Sequence, residues 1–209
     1  IEMNNQEFDV CVVGTGAGGG VVIDQLTAAG MSVVALERGP YLNPNEFDDD
    51  ELRNVVRDDV FSANQMETYR SYESEIAQPG KFADIAHCVG GTMTHWAGWS
   101  WRFRPDEFKV LSTEGPVPGA SLADWPVSYD EMEPFYEKAE WEIGVAGDHR
   151  ANPFMAPRKK PYPMPAFAYN REGKLLHDAA KRLGLHPFSI PMLRNSVPYG
   201  GRPACYRMR

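Results

Sequence analysis

The chain has 209 residues, 43% hydrophobic and 24% charged, with a formal net charge of −8 at pH 7. This length gives one large domain or two small ones of ordinary globular composition. The acidic balance argues against a nucleic-acid surface, and no apolar run reaches the length of a transmembrane helix. Cys11, Cys88 and Cys205 lie far apart without metal-ligand spacing, so no metal site is expected; Cys11 reads as a core strand residue. No signal peptide is visible, but the chain opens on Ile1 rather than Met, so nothing about compartment follows.

The first element is the apolar run Val10-Cys11-Val12-Val13, read as a strand buried on both faces. It enters the pattern Gly14-Thr15-Gly16-Ala17-Gly18-Gly19. Val21, Val22, Leu26 and Ala29 then recur at helical spacing, and Gly30 ends the helix. A second strand, Ser32 to Leu36, ends on Glu37, 18 residues beyond Gly19. In this order Gly14 permits the tight turn, Gly16 lets backbone approach a pyrophosphate, and Gly19 lets the helix pack on the strand. The helix N-terminus offers N–H donors to phosphates, and Glu37 can accept hydrogen bonds from ribose hydroxyls. We read a dinucleotide site here, against the plainer reading of a glycine-rich turn in a core.

Glu37-Arg38-Gly39-Pro40 turns the chain sharply, and residues 41–80 show no clean strand–helix alternation. Early interruption of the nucleotide fold is more typical of flavoproteins than of the simplest nicotinamide enzymes. FAD is therefore the expected dinucleotide, with a nicotinamide-dependent reductase as the alternative. The acidic run from Glu46 to Glu51 reads as solvated surface. Next, Val89-Gly90-Gly91-Thr92-Met93-Thr94-His95-Trp96-Ala97-Gly98 mixes glycines, hydroxyls, a His and a Trp. That mixture suits backbone wrapped against a flat ligand, while a turn with Trp96, Trp99 and Trp101 packed in a core stays open. His87, His149, His177 and His186 are scattered and read as solvated or packing residues.

The remainder reads as scaffold. Ser128-x-x-Glu131 forms a capping box, and Pro134 suits the first turn of a second helix reaching Trp141 and stopping at Gly144. Pro153, Pro157, Pro161, Pro163 and Pro165 mark an irregular crossing loop or linker. Glu172 to Leu183 reads as an amphipathic helix with Leu175, Leu176, Ala179, Ala180 and Leu183 inward, and Leu185 to Met192 as a strand.

The glycine pattern, Glu37-Arg38-Gly39-Pro40 and Gly90-Gly91-Thr92-Met93-Thr94-His95-Trp96 together resemble the glucose–methanol–choline oxidoreductases. Trp101-Arg102-Phe103-Arg104-Pro105-Asp106-Glu107-Phe108 fits the same family, as does Asp124-Trp125-Pro126-Val127-Ser128-Tyr129-Asp130 running into Glu133 to Glu140. Arg194-Asn195-Ser196-x-Pro198-Tyr199-x-Gly201-Arg202-Pro203-x-Cys205 is similar to its bacterial sugar dehydrogenase flavoprotein subunits, and pyranose oxidase is a second near branch. The resemblance implies an α/β fold in which a Rossmann-like FAD-binding domain is interleaved with an α+β substrate domain. It implies an FAD-binding domain over 1–110 with an insertion at about 41–80, and a helical connection and the start of the substrate domain over 111–209. The implied reaction is oxidation of a sugar hydroxyl by hydride transfer to flavin N5, with a non-catalytic FAD-binding or docking subunit as the alternative.

By the same resemblance, Gly14, Thr15, Gly16, Ala17, Gly19, Glu37, Arg38, Gly90, Gly91, Thr92, Thr94, His95, Trp96 and Ala97 are the cofactor residues. Thr94-His95-Trp96 matches the stretch of pyranose oxidase whose His bonds to the flavin 8α-methyl; covalent and non-covalent contact both stay open. Family members are more than twice as long and carry their catalytic His near the far C-terminus. We therefore expect this chain to be an N-terminal part whose catalytic base lies beyond Arg209 and whose unpartnered sheet leaves an apolar face exposed. The expected partners are a sugar or glycoside, the C-terminal half and an electron-acceptor subunit. The compartment expected by resemblance is the bacterial periplasm or cytoplasm. Tyr206 stands where some relatives place a second cluster cysteine, so Cys205 reads as a packing residue or half of a disulfide.

Overall fold

A computed structural model of the chain describes residues 6–43, 45, 50, 52, 67–80 and 85–205. Of the acidic run, only Asp50 is among them, and it is exposed; Glu46–Asp49, Glu51 and Tyr206–Arg209 lie outside them. The chain divides into two compact units, residues 1–96 and 97–209.

Unit 1 is built on a βαβ turn. Strand β1 (Val10–Val13), helix α1 (Ala17–Ala28) and strand β2 (Val33–Leu36) follow one another. The strands pair in parallel, in the register Val10↔Val33 to Val13↔Leu36. β1 alternates half-buried and exposed rather than being buried on both faces. α1 covers the Val12 side, so Cys11 and Val13 on the other side are exposed, Val13 to 82%. Cys11 is thus not a core residue. The inward face of α1 is Gly19, Ile23 and Leu26, at spacings of one and two turns, whereas Val21 and Val22 point outward. Gly30 (φ +85°) closes the turn after α1, as expected. Within residues 41–80, β3 (Glu67–Tyr69) and β4 (Gln78–Gly80) form an antiparallel pair, Tyr69 facing Gln78.

Unit 2 holds most of the buried side chains. A 3₁₀ turn (Pro105–Lys109) runs into α2 (Val110–Glu114), followed by α3 (Tyr129–Ala139) and α4 (Arg171–Arg182). The expected capping box opens α3: the Glu131 N–H donates to Ser128 Oγ at 3.3 Å and the Ser128 N–H to Glu131 Oε2 at 2.8 Å. The chain forms one helix through Pro134 rather than starting a second there, and a π turn, Glu140–Gly144, completes it. Pro134 deprives the Asp130 carbonyl of its donor, but both residues are on the exposed side, where that loss is cheap. Phe108, Tyr129 and Ala156 form the core with Val127, Met132 and Tyr136.

Two readings of this half change. Leu185–Met192 is not a regular strand. Pro187 and Pro191 lack the N–H a ladder needs, and only Met192 pairs, with Trp99 and Ala146. α4 has the expected span, but Leu175, Leu176 and Leu183 are exposed, Leu183 to 77%. Its half-buried side includes Gly173, His177 and Ala180, with the Tyr169 ring 4.8 Å from His177. The proline-rich stretch is irregular, as read, yet it buries Ala156, Tyr162 and Met164. Cys205 is half-buried and free.

Candidate functional site: a glycine-lined helix tip in unit 1

The turn after β1 is set by Gly14, whose φ of +89° is strained for any L side chain. Its N–H donates to the Leu36 carbonyl at 2.8 Å, tying the turn to the end of β2. Gly19 is required by packing. A Cβ there would lie inside the van der Waals envelope of the Gly14 carbonyl, 3.0 Å from its carbon and closer to its oxygen. Gly16 is different. It caps α1 in an extended conformation open to any residue (φ −67°), and a Cβ on it would meet nothing within 4 Å. No side chain caps α1 and no acidic residue stands in its first turn. The first N–H groups and the positive end of the helix therefore have no side-chain partner, as an anion site requires.

Glu37 ends β2 beside this turn. Its Oε2 accepts from the Thr15 N–H at 2.9 Å and the Thr15 hydroxyl at 2.8 Å, and its Oε1 accepts from the Gly39 N–H at 3.1 Å. These donors, the Thr15 backbone N–H foremost, hold its pKa down to about 2. Three of roughly four lone-pair positions are thus committed inside the protein. Gly39 lies so close to the next segment that a Cβ would collide with the His87 carbonyl. The Arg38 guanidinium meets His87 Nε2, and Val89 N–H donates to the Pro40 carbonyl at 3.0 Å.

These contacts bring the third motif in. Gly90 (φ +94°) caps a 3₁₀ turn, Gly91–His95, and its N–H donates to Thr15 Oγ1 at 3.2 Å. Gly91 (φ +58°) faces the glycine loop: a Cβ there would stand 3.1 Å from the Gly16 Cα. Thr92 Oγ1 accepts from Ala86 N–H at 3.3 Å, and the Thr94 hydroxyl donates to the Gly91 carbonyl at 2.8 Å. Both threonines therefore shape the turn itself. His95 is half-buried in its last position and Trp96, which caps it, is exposed. Trp99 and Trp101 are exposed in unit 2, so the three tryptophans are not packed in a core. Ala17 is exposed at the start of α1, and Ala97 is exposed at the start of unit 2.

Three segments far apart in sequence thus share one surface in unit 1. The sequence reading missed the part of Gly39, whose only signal is a glycine in the turn after Glu37, and the double bonding of Thr15. It also missed what the later matched stretches do. Arg102 and the Glu133–Glu140 stretch clasp each other inside unit 2. The Arg102 guanidinium bonds both Glu140 oxygens, at 2.8 and 2.7 Å, and reaches Glu133 Oε1 at 3.3 Å and the Tyr129 hydroxyl at 3.1 Å. Arg158 bonds Glu140 from a second direction, and Lys159 Nζ lies 3.3 Å from Glu133 Oε2. Buried charges in this half are paired, which marks a structural network. Among the described residues no His, Cys, Asp and Glu group could hold a metal ion, and no helix is long and apolar enough to cross a membrane.

No family model matches the chain. It is similar over 97% of its length to a fructose dehydrogenase large subunit of Gluconobacter japonicus (33% identity), covering 40% of that protein. It matches a gluconate 2-dehydrogenase flavoprotein of Pantoea cypripedii at 31% identity, over 93% of this chain and 36% of that one. An uncharacterized GMC-type oxidoreductase of Mycobacterium tuberculosis is 30% identical over 88% of this chain and 24% of its own. The chain thus spans about two fifths or less of the length of these relatives. Among solved structures, a pyridoxine 4-oxidase from Mesorbium loti gives a TM-score of 0.47 at 15% identity, over 85% of this chain and 32% of that one, too loose a likeness to reason from.

Proposed function

Since this chain is homologous along nearly its whole length to the glucose–methanol–choline (GMC) type oxidoreductases, we propose that unit 1 binds FAD, with the pyrophosphate at the α1 tip. The protein it belongs to then oxidises a hydroxyl of a sugar or sugar derivative. The observation that carries this is the convergence of the Gly14–Gly19 loop, the Glu37–Pro40 turn and the Gly90–Gly91 turn on one uncapped helix N-terminus. The residues fit the group. Bare backbone at Gly16 admits phosphate oxygens, α1 supplies N–H donors and a positive dipole end, and Glu37 places an ionised carboxylate at the end of β2 beside them. FAD, when bound, supplies the hydride acceptor.

Gly14, Thr15, Gly16, Ala17, Gly19, Glu37, Arg38, Gly90, Gly91, Thr92, Thr94, His95, Trp96 and Ala97 are assigned to the cofactor, His95 to the dimethylbenzene edge of the flavin. The FAD domain is assigned to 1–110 with its insertion at about 41–80, and 111–209 to the start of a substrate domain interleaved with it. The names of the relatives suggest a sugar or sugar acid as substrate, and a further segment or chain and an electron-acceptor subunit as partners. No residue of this chain is assigned as the base that takes the hydroxyl proton.

Absorbance of the purified protein tests the reading. It should be yellow, and a panel of sugars with an artificial electron acceptor should bleach and recycle the colour. Colourless protein that takes up no added FAD would overturn the assignment, whereas flavin without turnover would leave a flavin-binding subunit only. Acid precipitation followed by intact mass decides whether His95 carries the flavin covalently.

A further inference from the structure

Thr15 occupies a place that its position between two motif glycines does not explain. It is the variable residue of the pattern, yet its side chain is bonded on two sides. Its hydroxyl donates to Glu37 Oε2 at 2.8 Å and accepts from the Gly90 N–H at 3.2 Å, while its own N–H donates to the same carboxylate oxygen at 2.9 Å. One side chain thus links residues separated in sequence by 22 and 75 positions. The ionised Glu37 at one end polarises the hydroxyl and makes it a better acceptor for Gly90. The β-branch limits Thr15 to few χ1 rotamers, which suits a fixed relay.

We propose that Thr15 is a positioning residue. Through the chain Gly90 N–H to Thr15 hydroxyl to Glu37 carboxylate, it holds the Gly90–His95 turn against the α1 tip and so presets the surface that FAD meets. The proposal rests on the FAD reading above. Glu37 on this account acts on the cofactor largely through Thr15, by fixing backbone, because most of its acceptor positions are already used within the protein. Gly91 adds a reason for such a fixing device. It approaches the Gly16 Cα closely enough that a shift of the 3₁₀ turn would open or close the face of the glycine loop.

The test uses Thr15→Val, which keeps the shape and removes the hydroxyl, and Thr15→Ser, which restores it, in the full-length protein. Two quantities are read: residue-resolved hydrogen–deuterium exchange at the Gly90 amide without FAD, and the dissociation constant of added FAD by fluorescence. In Thr15→Val, Gly90 exchange should quicken by about an order of magnitude and FAD should bind about threefold to tenfold more weakly. Thr15→Ser should recover most of both. Gly90 exchange unchanged in Thr15→Val, or faster exchange with FAD affinity intact, overturns the proposal. So does a Thr15→Ser protein that behaves like Thr15→Val. A wild-type protein that binds no FAD sinks the FAD reading and with it the cofactor role, while the Gly90 exchange still decides whether Thr15 holds the turn.

Discussion

Substituting Gly19 by Ala tests the packing of α1 on β1 in isolation from any ligand. The added methyl group would sit 3.0 Å from the Gly14 carbonyl carbon and nearer still to its oxygen, and 3.5 Å from Val12 Cγ1. The obstacle is backbone, so no rotamer change relieves it; α1 must withdraw until ordinary contact, 3.4 Å or more, is regained. Overpacking of this kind costs about 1–3 kcal/mol, and the upper end applies where the neighbour cannot yield. Alanine's helix propensity returns about 1 kcal/mol. The net expectation is a loss of roughly 1–2 kcal/mol, or a fall of about 2–8 °C in Tm for a chain of this size. Gly20→Ala is the control, because a Cβ there meets nothing within 4 Å, and propensity alone should stabilise it by up to about 1 kcal/mol. Urea unfolding of both variants reads the difference. The reasoning is refuted if Gly19→Ala is as stable as the wild type or gains stability as Gly20→Ala does.

Two further outcomes follow from the charged groups. Arg102→Met should cost about 2–3 kcal/mol in urea unfolding, because buried Glu133 and Glu140 lose their shared cation and keep only Lys159 and Arg158; a loss below about 1 kcal/mol would show the network to be incidental. Glu37 has a folded pKa of about 2 against an ordinary 4.5, so its contribution is full above about pH 4.5 and is lost as pH falls towards 2. Glu37→Gln should remove that part of the acid sensitivity, and identical pH–stability curves for the two proteins between pH 5 and 2 would contradict it.

The βαβ turn was legible because its signals are local: a short apolar run, three spaced glycines, a helix period, Gly30 and an acidic strand end. The capping box at Ser128 and the span of α4 were legible for the same reason. Burial was not. Hydropathy cannot tell which apolar residues a two-stranded sheet and the helices cover, so Val13, Leu175, Leu176 and Leu183 read as buried and lie exposed. The β3–β4 pair escaped because three-residue strands containing Gln78 and Pro79 carry no alternation. Leu185–Met192 misled because apolar content outweighed two prolines. At the site, the glycines announced themselves through spacing. The partners of Thr15 and Gly39 could not, since the bonds reach across loops to Glu37, Gly90 and His87.

The dissociation constant of FAD from Gly16→Ala, set beside that of the wild type, bears most directly on the central claim. Gly16 has an ordinary φ and open space around its missing side chain, so neither strain nor packing demands a glycine there, and its N-cap position favours Gly over Ala only modestly. A pyrophosphate resting on that backbone does demand one. The variant should lose no more than about 1–1.5 kcal/mol of stability, the cost of Ala at the N-cap of α1, and bind FAD at least about tenfold more weakly. Equal affinity in the two proteins would mean that nothing approaches the chain at Gly16 and that the cofactor, if held, is held elsewhere.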